Sequence, residues 1–365
     1  GEDNVAIGQQ ALEANATTHK NIAIGYQSLH ANTADDNIAV GYKALTANTT
    51  GTLNVALGYQ ASDANTTGNN NVAIGYNALG ASTTQSNNTA IGHEALRLAN
   101  GPVNMTSVGY NAGHNQTAGE SCTYMGYNAG YEATTGWNNT FIGKEAGQDH
   151  TTGNECTYIG SRAGGNSTTG DNNTAVGYNS ARDLTTGGFN SIYGEHSGHD
   201  VTTGSNNLLL GYQAGVGASP SGSITTGSNN VVLGNDSISN LYCADTSISA
   251  SDARDKTDIE DFKYGLSWIT ALRPVTYRWD RRSWYGDTFE NSSNKGTPDG
   301  SKKRPRLHIG FLAQEALEVE KKHGYADKKD NMLIVNQNED EKDPSYGYKY
   351  ERLVPVLVNA VKELS

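Results

Sequence analysis

A serine and a lysine lie five residues apart in a charged stretch near the end of the repetitive part of the chain. Ser251 offers a hydroxyl, and Lys256 offers an amine. A serine hydroxyl becomes a useful nucleophile only when a base accepts its proton, and a lysine acts as that base only when its pKa falls from about 10.4 towards neutrality. The chemistry that this pair would perform is attack on a peptide bond. On its own, a serine and a lysine at this spacing carry little information about catalysis.

The surrounding residues make the pair more informative. Residues 251–259 read Ser-Asp-Ala-Arg-Asp-Lys-Thr-Asp-Ile. They match every specified position of Ser-Asp-x-Arg-x-Lys-x-x-Ile, and so this stretch resembles the opening motif of the intramolecular chaperone domains at the C-termini of phage endosialidases and tail fibres. Similar segments follow at residues 272–275, 308–315 and 350–364. The resemblance covers most of residues 251–365, and the charged insertion near residues 281–306 matches least.

The resemblance implies a self-cleavage site and roles for its residues. In that family the chain is cut just before the serine of the motif, which here is the Ala250–Ser251 bond. Ser251 would then be the nucleophile and Lys256 its base, once burial or the neighbouring Arg254 lowers the pKa of the lysine. Asp252 would orient the pair or cap the following helix. We therefore expect at most a single-turnover serine peptidase with a Ser-Lys dyad, and no turnover enzyme.

The rest of the C-terminal region is expected to hold the fold. His308 and Glu315 lie in segments that resemble the family, and we assign them structural roles. The last segment has the spacing of a helix, with Pro355 tolerated in its first turn. In the resembled family this helix packs against the other chains of a trimer. The apolar stripe expected on this helix consists of Leu353, Leu357, Ala360 and Leu364.

The chain before residue 235 is built from a repeated unit. Fourteen units align on the glycine of an Ala-Ile-Gly-Tyr-like core, and in twelve of the thirteen steps the next glycine is the sixteenth or seventeenth residue along the chain. The step from Gly211 to Gly234 is about six residues longer, so we expect residues 216–221 to leave the regular path as a loop. The aligned glycines are Gly8, Gly25, Gly41, Gly58, Gly75, Gly92, Gly109, Gly126, Gly143, Gly160, Gly177, Gly194, Gly211 and Gly234.

Each unit has the pattern of a short strand closed by a polar turn. In the unit around Gly75, β-branched residues alternate with a small one, and a period of two is typical of a strand with one buried face. We expect Val72 and Ile74 to share the buried face. An asparagine precedes most of the glycines by four residues, and we expect it to form hydrogen bonds between units. The tyrosines that follow many glycines, such as Tyr76, are expected to pack along the rod.

A single unit buries too little apolar surface to offset its ordering entropy, so its stability must come from stacked neighbours. The thin core of one chain favours three chains around a common axis. The repeat also resembles the Asn-x-Ala-Ile-Gly coils of trimeric autotransporter adhesin heads, which form a left-handed β-roll, and repeats of phage tail fibres. We predict a mainly β fold. It comprises a trimeric β-solenoid or β-roll shaft over residues 1–234, a neck and cleavage linker over 235–250, and a small α+β chaperone domain over 251–365 that ends in a helix.

The charge of the chain is concentrated in the shaft. Residues 1–250 carry 6 Lys or Arg and 18 Asp or Glu, a net charge of −12, whereas residues 251–365 carry 20 of each. An acidic rod repels nucleic acid, whose binding depends on basic groups that neutralise phosphates. No stretch approaches the roughly 20 apolar residues of a membrane helix, and no leader opens the chain. We therefore expect neither nucleic-acid binding nor membrane insertion.

The cysteines and histidines do not suggest a cofactor. Cys122, Cys156 and Cys243 lack the spacing of a zinc site, and two of them replace the repeat asparagine, so we expect free, buried thiols. A ring of imidazoles from His196 and His199 of three chains is an alternative metal site. Exposed histidines are the simpler interpretation, and we predict no metal and no cofactor.

These observations predict a structural and adhesive phage tail fibre. Its partners would be two further copies of the chain, the upstream tail proteins of the virion, and a host receptor that is a glycan or another outer-membrane component. It would assemble in the host cytoplasm and act on the virion. The chain starts at Gly1 without a methionine, and we expect it to be a fragment whose upstream part holds an attachment domain.

Three alternatives remain. A polysaccharide-degrading tailspike would need a close pair of carboxylates in a groove. A bacterial trimeric surface adhesin would share the coils and end in a membrane anchor. A membrane-bound transcription factor with the same chaperone would need a DNA-binding domain and a transmembrane helix.

Overall fold

The computed structural model describes residues 1–239, 257–285, 297–337 and 346–365. They form two compact units, Gly1–Asn235 and Asp236–Ser365. The first is a parallel β-solenoid, and the second combines short helices with two small sheets. The mainly β fold with 17-residue coils is thus confirmed. No helix among the described residues is long and apolar enough to cross a membrane.

The solenoid consists of one 14-stranded parallel sheet in which each strand pairs with the next one in sequence. Paired residues, such as Val72 and Thr89, lie one repeat apart, and the sheet is therefore built by one strand from every coil. The strands are β1 (Val5–Ile7), β2 (Ile22–Ile24), β3 (Ile38–Val40), β4 (Val55–Leu57), β5 (Val72–Ile74), β6 (Thr89–Ile91), β7 (Thr106–Val108), β8 (Thr123–Met125), β9 (Thr140–Ile142), β10 (Thr157–Ile159), β11 (Thr174–Val176), β12 (Ser191–Tyr193), β13 (Leu208–Leu210) and β14 (Val231–Leu233).

The buried face of these strands is the opposite of the one expected. In β5, Ala73 is fully buried, whereas Val72 and Ile74 lie at the outer face of the sheet. The same pattern holds along the shaft, where the central residue of every strand from β2 to β14 is buried. The prediction that the β-branched residues share the buried face is wrong. The interior of one coil is narrow, and a small central residue leaves room there for a leucine from the turn that follows.

Asparagine side chains form a ladder inside the shaft. The backbone N–H of Asn71 donates to Oδ1 of Asn54 at 3.0 Å, and Nδ2 of Asn71 donates to the carbonyl oxygen of Gln85 at 2.8 Å. Each buried amide therefore links its own coil to a neighbouring one, as expected.

Two cysteines take the place of the ladder asparagine. Cys122 and Cys156 are both free and buried, as expected, whereas Cys243 lies outside the described residues. Burial raises the pKa of both described thiols. A raised pKa leaves the thiol protonated and unreactive, which fits packing rather than redox chemistry.

The core glycines allow the coils to approach each other closely. Gly75 has φ +136°, and a Cβ there would collide with the carbonyl oxygen of Gly92 in the next coil. The tyrosines that follow these glycines stack along the outside, and the rings of Tyr59 and Tyr76 lie 5.3 Å apart at 11°. The expected packing of tyrosines along the rod is confirmed.

Two arrangements of large and small residues fill the interior of the coils. In several coils the central strand residue is small, as Ala73, and the fourth residue after the glycine is large, as Leu79. Where the strand residue is an aromatic ring, as Phe141, that position is a glycine. A Cβ on Gly147 would lie 2.6 Å from Cδ2 of Phe141, so the ring uses the space that a leucine fills elsewhere.

The long interval between β13 and β14 contains the predicted insertion. Residues 216–222 form successive turns, in which Ser219 N donates to Val216 O and Gly222 N to Ser219 O. The chain then rejoins the coil through Ile224, whose N–H donates to Gly215 O at 2.9 Å. Val216 and Ile224 are buried, so the loop is anchored at both ends.

The second unit has three helices and two antiparallel strand pairs among its described residues. Strand β15 pairs with β16, and β17 pairs with β18. Helix α1 packs against α3, and α2 lies against β17 and β18. The elements are α1 (Leu266–Ala271), β15 (Val275–Tyr277), β16 (His308–Gly310), α2 (Ala313–Lys322), β17 (Val335–Gln337), β18 (Tyr346–Tyr348) and α3 (Leu353–Leu364), with 3-10 turns at Arg282–Tyr285, Lys329–Asn331 and Tyr350–Arg352.

Candidate functional site

The predicted cleavage site lies in residues 240–256, outside the described residues. The roles of nucleophile and base therefore stay predictions, and so do the supporting roles. The residues concerned are Ala250, Ser251, Asp252, Arg254 and Lys256. The described part of the second unit shows the structural elements that follow this segment in the chain.

The start of the second unit is tied to its last helix. The backbone N–H of Leu266 donates to Oε2 of Glu363 at 2.8 Å, and Nδ2 of Asn359 donates to the carbonyl oxygen of Phe262 at 2.5 Å. Between these contacts, Gly265 lies against α3, and a Cβ there would collide with the backbone nitrogen of Ala360. Segment 262–266 and helix α3 therefore form one packed body.

An aromatic cluster fills the space beside that contact. Trp268 is buried, and its ring stacks on His323 with centroids 4.8 Å apart. Phe262, Tyr264 and Tyr325 surround the indole. The ring of His323 is oriented by its Nδ1, which lies 2.7 Å from the carbonyl oxygen of Val319. This cluster is the apolar centre of the second unit.

A buried carboxylate joins helix α2 to strand β17. Glu320 is fully buried and accepts hydrogen bonds from the backbone N–H groups of Leu333, Ile334 and Val335 at 2.7 to 2.8 Å. Three donors on one carboxylate compensate for the water that burial removes. The prediction from sequence did not identify Glu320, because a single glutamate in a charged helix has no distinguishing pattern.

His308 and Glu315 make contacts within the unit. The guanidinium of Arg273 forms two hydrogen bonds with the carboxylate of Glu315, one of them 3.0 Å long, and lowers the pKa of that carboxyl group. The ring of His308 stacks on Tyr277 across β15 and β16, with centroids 5.5 Å apart. Both contacts are of the kind that holds a small domain together.

A basic pocket of about 280 Å³ lies beside residues 236–239, which directly follow the repeats in sequence. The guanidinium of Arg281 lies 4.6 Å from the centroid of the Trp279 ring, a cation–π contact. Burial lowers the pKa of Arg281, and the charge of Arg304 lowers it further. The other lining residues are Asp236, Ile238, Ser239, Pro305, Arg306 and His308.

A histidine and two aspartates form a polar group in the shaft. Donor atoms of Asp183, His199 and Asp200 lie within 4.8 Å of one another. Nδ1 of His199 lies 2.9 Å from Oδ1 of Asp200, and Ser223 Oγ donates to the other oxygen of that carboxylate at 2.6 Å. The guanidinium of Arg182 lies 3.3 Å from Nε2 of His199. Hydrogen bonds and a neighbouring cation thus already occupy the atoms that would hold a metal.

Residues 251–325 match the protein family described as chaperone of endosialidase. This match starts at Ser251 and includes α1, β15, β16 and α2. A β-solenoid of 17-residue coils with this domain after it fits a tail fibre with a C-terminal chaperone domain, and the family points to a phage-associated protein. No curated protein and no solved structure matches the chain.

The last helix of the second unit, α3, has two apolar faces. Leu353, Val356 and Ala360 are buried against the rest of the domain. The expected stripe is only half right, because Leu357 and Leu364 are exposed. They belong to a second, outward face that also contains Val354, Val358 and Val361. A surface helix usually has one apolar stripe, which faces the core. A second apolar face that points outward is therefore unusual.

The basic pocket of the second unit was not predicted from the sequence. Its arginines belong to the charged insertion near residues 281–306, the part that resembles the family least. The density of Lys and Arg around residues 278–282 and 302–306 was a usable signal, because it exceeds that of any other part of the chain.

Proposed function

We propose that this chain is the shaft and assembly domain of an adhesive phage tail fibre. Its C-terminal domain brings three chains together in register and is then released by self-cleavage at the Ala250–Ser251 bond. The observation that carries the proposal is the match to the chaperone of endosialidase directly behind a solenoid whose sheet has an apolar outer face.

The outer face of the sheet supports association between chains. Val or Ile and Leu side chains project outward from most strands, and Leu57 and Leu233 are nearly half exposed. The third residue of every strand is Ile, Val, Leu, Met or Tyr, so fourteen strands about 4.8 Å apart form an apolar row of roughly 60 Å on this face. A contiguous apolar surface of that length typically marks a protein interface. Two further copies of the chain, with the same face, are its proposed partners.

The outer face of α3 supports the same assembly at the C-terminal end. Val361 and Leu364 are 65% and 72% exposed in the single chain. Packing this face against the same face of other chains would remove it from water, at about 25 cal/mol per Å² of apolar surface. Helix α3 also contacts segment 262–266, so chain association at α3 would be coupled to the folding of the domain.

The proposed self-cleavage is an acyl transfer followed by hydrolysis. Lys256, in its neutral form, accepts the hydroxyl proton of Ser251 while the serine oxygen attacks the carbonyl carbon of Ala250. The bond from that carbon to the Ser251 nitrogen breaks, and the amine leaves with the proton from the lysine. Water then hydrolyses the ester and leaves a carboxylate on Ala250 and the free hydroxyl of Ser251. Lys256 would be neutral at physiological pH once folding lowers its pKa, so cleavage would follow folding of the domain.

The test uses the full chain with Ser251→Ala and Lys256→Ala. The matched controls, Ser249→Ala and Lys263→Ala, remove the same chemical groups at neighbouring positions. Denaturing gels with intact-mass analysis should find fragments that end at Ala250 and begin at Ser251 in the parent and in both controls. The two dyad variants should remain uncut.

Light scattering on the uncut variants tests the assembly part separately. A stable trimer of the Ser251→Ala chain is expected, because assembly precedes cleavage in the proposal. An uncut parent would rule out self-cleavage by this pair, and a monomeric uncut chain would rule out the assembly role of the domain.

A further inference from the structure

A row of side chains along one side of the shaft is interrupted by two glycines, Gly80 and Gly165. The fifth residue after each core glycine lines this side, and in the coil of Gly160 it is Gly165, between Gln148 and Arg182 in the adjacent coils. A side chain fills this position in most coils. Its occupants from the first coil onward are Glu13, His30, Thr46, Asp63, Gly80, Arg97, His114, Tyr131, Gln148, Gly165, Arg182 and His199.

The backbone does not require a glycine at this position. Gly165 does not have a positive φ, and the nearest atom to an added Cβ would be the carbonyl oxygen of Arg162 at 3.3 Å. The preceding Gly164 differs, because it has φ +56° and an added Cβ would lie 2.5 Å from the ring of Tyr158. Gly164 is thus required by conformation and packing, whereas Gly165 contributes empty space.

That space is a polar notch of about 180 Å³ that spans three coils. It is smaller than the roughly 300–1,000 Å³ of pockets that enclose drug-sized ligands. A ligand of one ring fits this size. Besides Gly165, the notch is lined by Glu145, Gln148, Asp149, Arg162, Asn166 and Arg182.

Several of the lining groups are held in place by neighbouring coils. Nε of Arg162 forms an ion pair with Glu145 at 2.5 Å. Nδ2 of Asn166 donates to Oδ1 of Asp183 at 3.0 Å, and Arg182 lies beside His199. Side chains that project from stacked turns and have fixed partners lose little freedom on binding, which favours recognition of a small ligand.

The charges of the notch cancel. Two guanidinium groups, from Arg162 and Arg182, face two carboxylates, from Glu145 and Asp149. The guanidinium and amide groups donate hydrogen bonds, and the carboxylate and amide oxygens accept them. A ligand with many hydroxyl groups and no net charge can use both, because each hydroxyl both donates and accepts. A charged ligand gains little from a lining of zero net charge, because the carboxylates repel an anion and the guanidinium groups repel a cation. An apolar group would leave the polar lining without partners.

We propose that this notch binds one uncharged sugar ring of a bacterial surface polysaccharide. The identity of the polymer rests on the proposed function as a tail fibre, whereas the preference for an uncharged ring rests on the lining alone. Each chain would bind one ring and leave the rest of the polymer in solvent. Repetition of the notch in three chains would then raise the overall affinity for a repetitive polymer.

The test measures binding of free sugars to the full chain by saturation-transfer NMR. The probes are the methyl glycosides of glucose, galactose, rhamnose and N-acetylglucosamine, with glucuronic acid and N-acetylneuraminic acid as charged counterparts. Gly165→Gln fills the notch, and Gly80→Gln places the same side chain at the equivalent position of another coil. Gln148→Ala is a second variant that adds no atoms and deletes one amide. Melting temperatures verify that each variant folds.

Binding of at least one neutral glycoside, with a Kd on the order of 1 mM and little binding of the acids, is expected. Gly165→Gln should weaken it at least about tenfold and Gln148→Ala severalfold, while Gly80→Gln leaves it unchanged. The proposal is overturned when no neutral sugar binds, when the acids bind better, or when folded Gly165→Gln or Gln148→Ala binds like the parent. Assembly and cleavage are measured on the same samples. A trimer that cuts itself but binds no sugar would overturn the notch alone, and a sugar-binding monomer would overturn the fibre assembly alone.

Discussion

Exchanging the large and the small residue inside one coil tests how the shaft fills its interior. The double variant Phe141→Ala/Gly147→Leu would convert the ring-and-glycine arrangement of one coil into the Ala73-and-Leu79 arrangement of another. Leucine at position 147 would adopt a conformation that the shaft already imposes on leucine, because Leu79 has φ +54° and Gly147 has φ +55°. The exchange therefore changes which residue fills the space and keeps the backbone unchanged.

The structure gives the expected size of each effect. Phe141→Ala removes a buried ring that stacks on Tyr124 and Tyr158 at 5.2 and 5.0 Å, and should cost about 3–5 kcal/mol of unfolding free energy. Gly147→Leu alone forces side-chain atoms into that ring, which should cost about 1–3 kcal/mol, and the positive φ adds about 1–2 kcal/mol. In the double variant the leucine occupies the vacated space. The double variant should therefore lose about 3 kcal/mol less unfolding free energy than the two single variants lose together.

The assay is guanidinium unfolding followed by circular dichroism on a Ser251→Ala background, which keeps every chain in one covalent state. The single variants should unfold at clearly lower denaturant concentrations than the parent, and the double variant should recover part of the loss. Loss of the two ring contacts, at about 0.5–1.5 kcal/mol each, prevents full recovery. Additive losses, with a coupling energy below about 0.5 kcal/mol, would show that Phe141 and Gly147 do not share one space.

The remaining predictions concern four other positions. Asn71→Ala should lower the unfolding free energy by about 2–4 kcal/mol, because it leaves the backbone N–H of Asn88 and the carbonyl oxygen of Gln85, both in the next coil, without these hydrogen-bond partners, and denaturant unfolding measures this loss. Glu320→Gln should destabilise the chaperone domain, because an amide cannot accept three backbone hydrogen bonds as the carboxylate does, and exposed Glu318→Gln should leave its melting temperature unchanged. Burial lowers the pKa of His150 from its ordinary value of 6.5. The stability that neutral His150 provides is therefore complete above pH 6.5 and declines as the pH falls towards the folded-state pKa. In a plot of melting temperature against pH, His150→Asn should remove this decline. Val361→Asp should shift uncut chains from trimer to monomer in light scattering without loss of helical signal, and an unchanged trimer would contradict the role of the outer face of α3.

The repeat was readable from the sequence because its spacing is set by backbone packing. Glycine at close inter-coil contacts and asparagine at the buried ladder have few substitutes, so both recur and define the coil. Which face of each strand is buried could not be predicted from the sequence. An alternating pattern such as Val72-Ala73-Ile74 divides residues between two faces but does not say which face is inside. The bulky residues face outward here because the narrow interior has room for only one large side chain per coil.

The candidate site was readable only in part. The spacing of Ser251 and Lys256 is a local pattern, and the family match covers it, but their geometry depends on tertiary contacts that no pattern describes. Glu320 escaped notice for the same reason, since its three donors come from a segment more than ten residues away. The notch at Gly165 required knowing which residues of three coils lie side by side. Once the coil length is known, residues one coil length apart in the sequence can be identified as neighbours. This site could therefore in principle have been predicted from the sequence.

In the proposed trimer, the outward residues of the strands would explain why the shaft needs an assembly domain. The first residue of each strand is Val or Ile from β1 to β5, Thr from β6 to β11, Ser in β12, and Leu or Val in β13 and β14. Within a block, chains shifted by one coil would still meet similar side chains at this position, and the strongest mismatches would lie at the few block boundaries. The free-energy difference between the correct register and a shifted one is therefore concentrated at a few coils, and a long sheet of similar strands specifies its register weakly. A globular domain at one end, with an apolar helix face that fits one arrangement, can supply the missing specificity before the shaft forms.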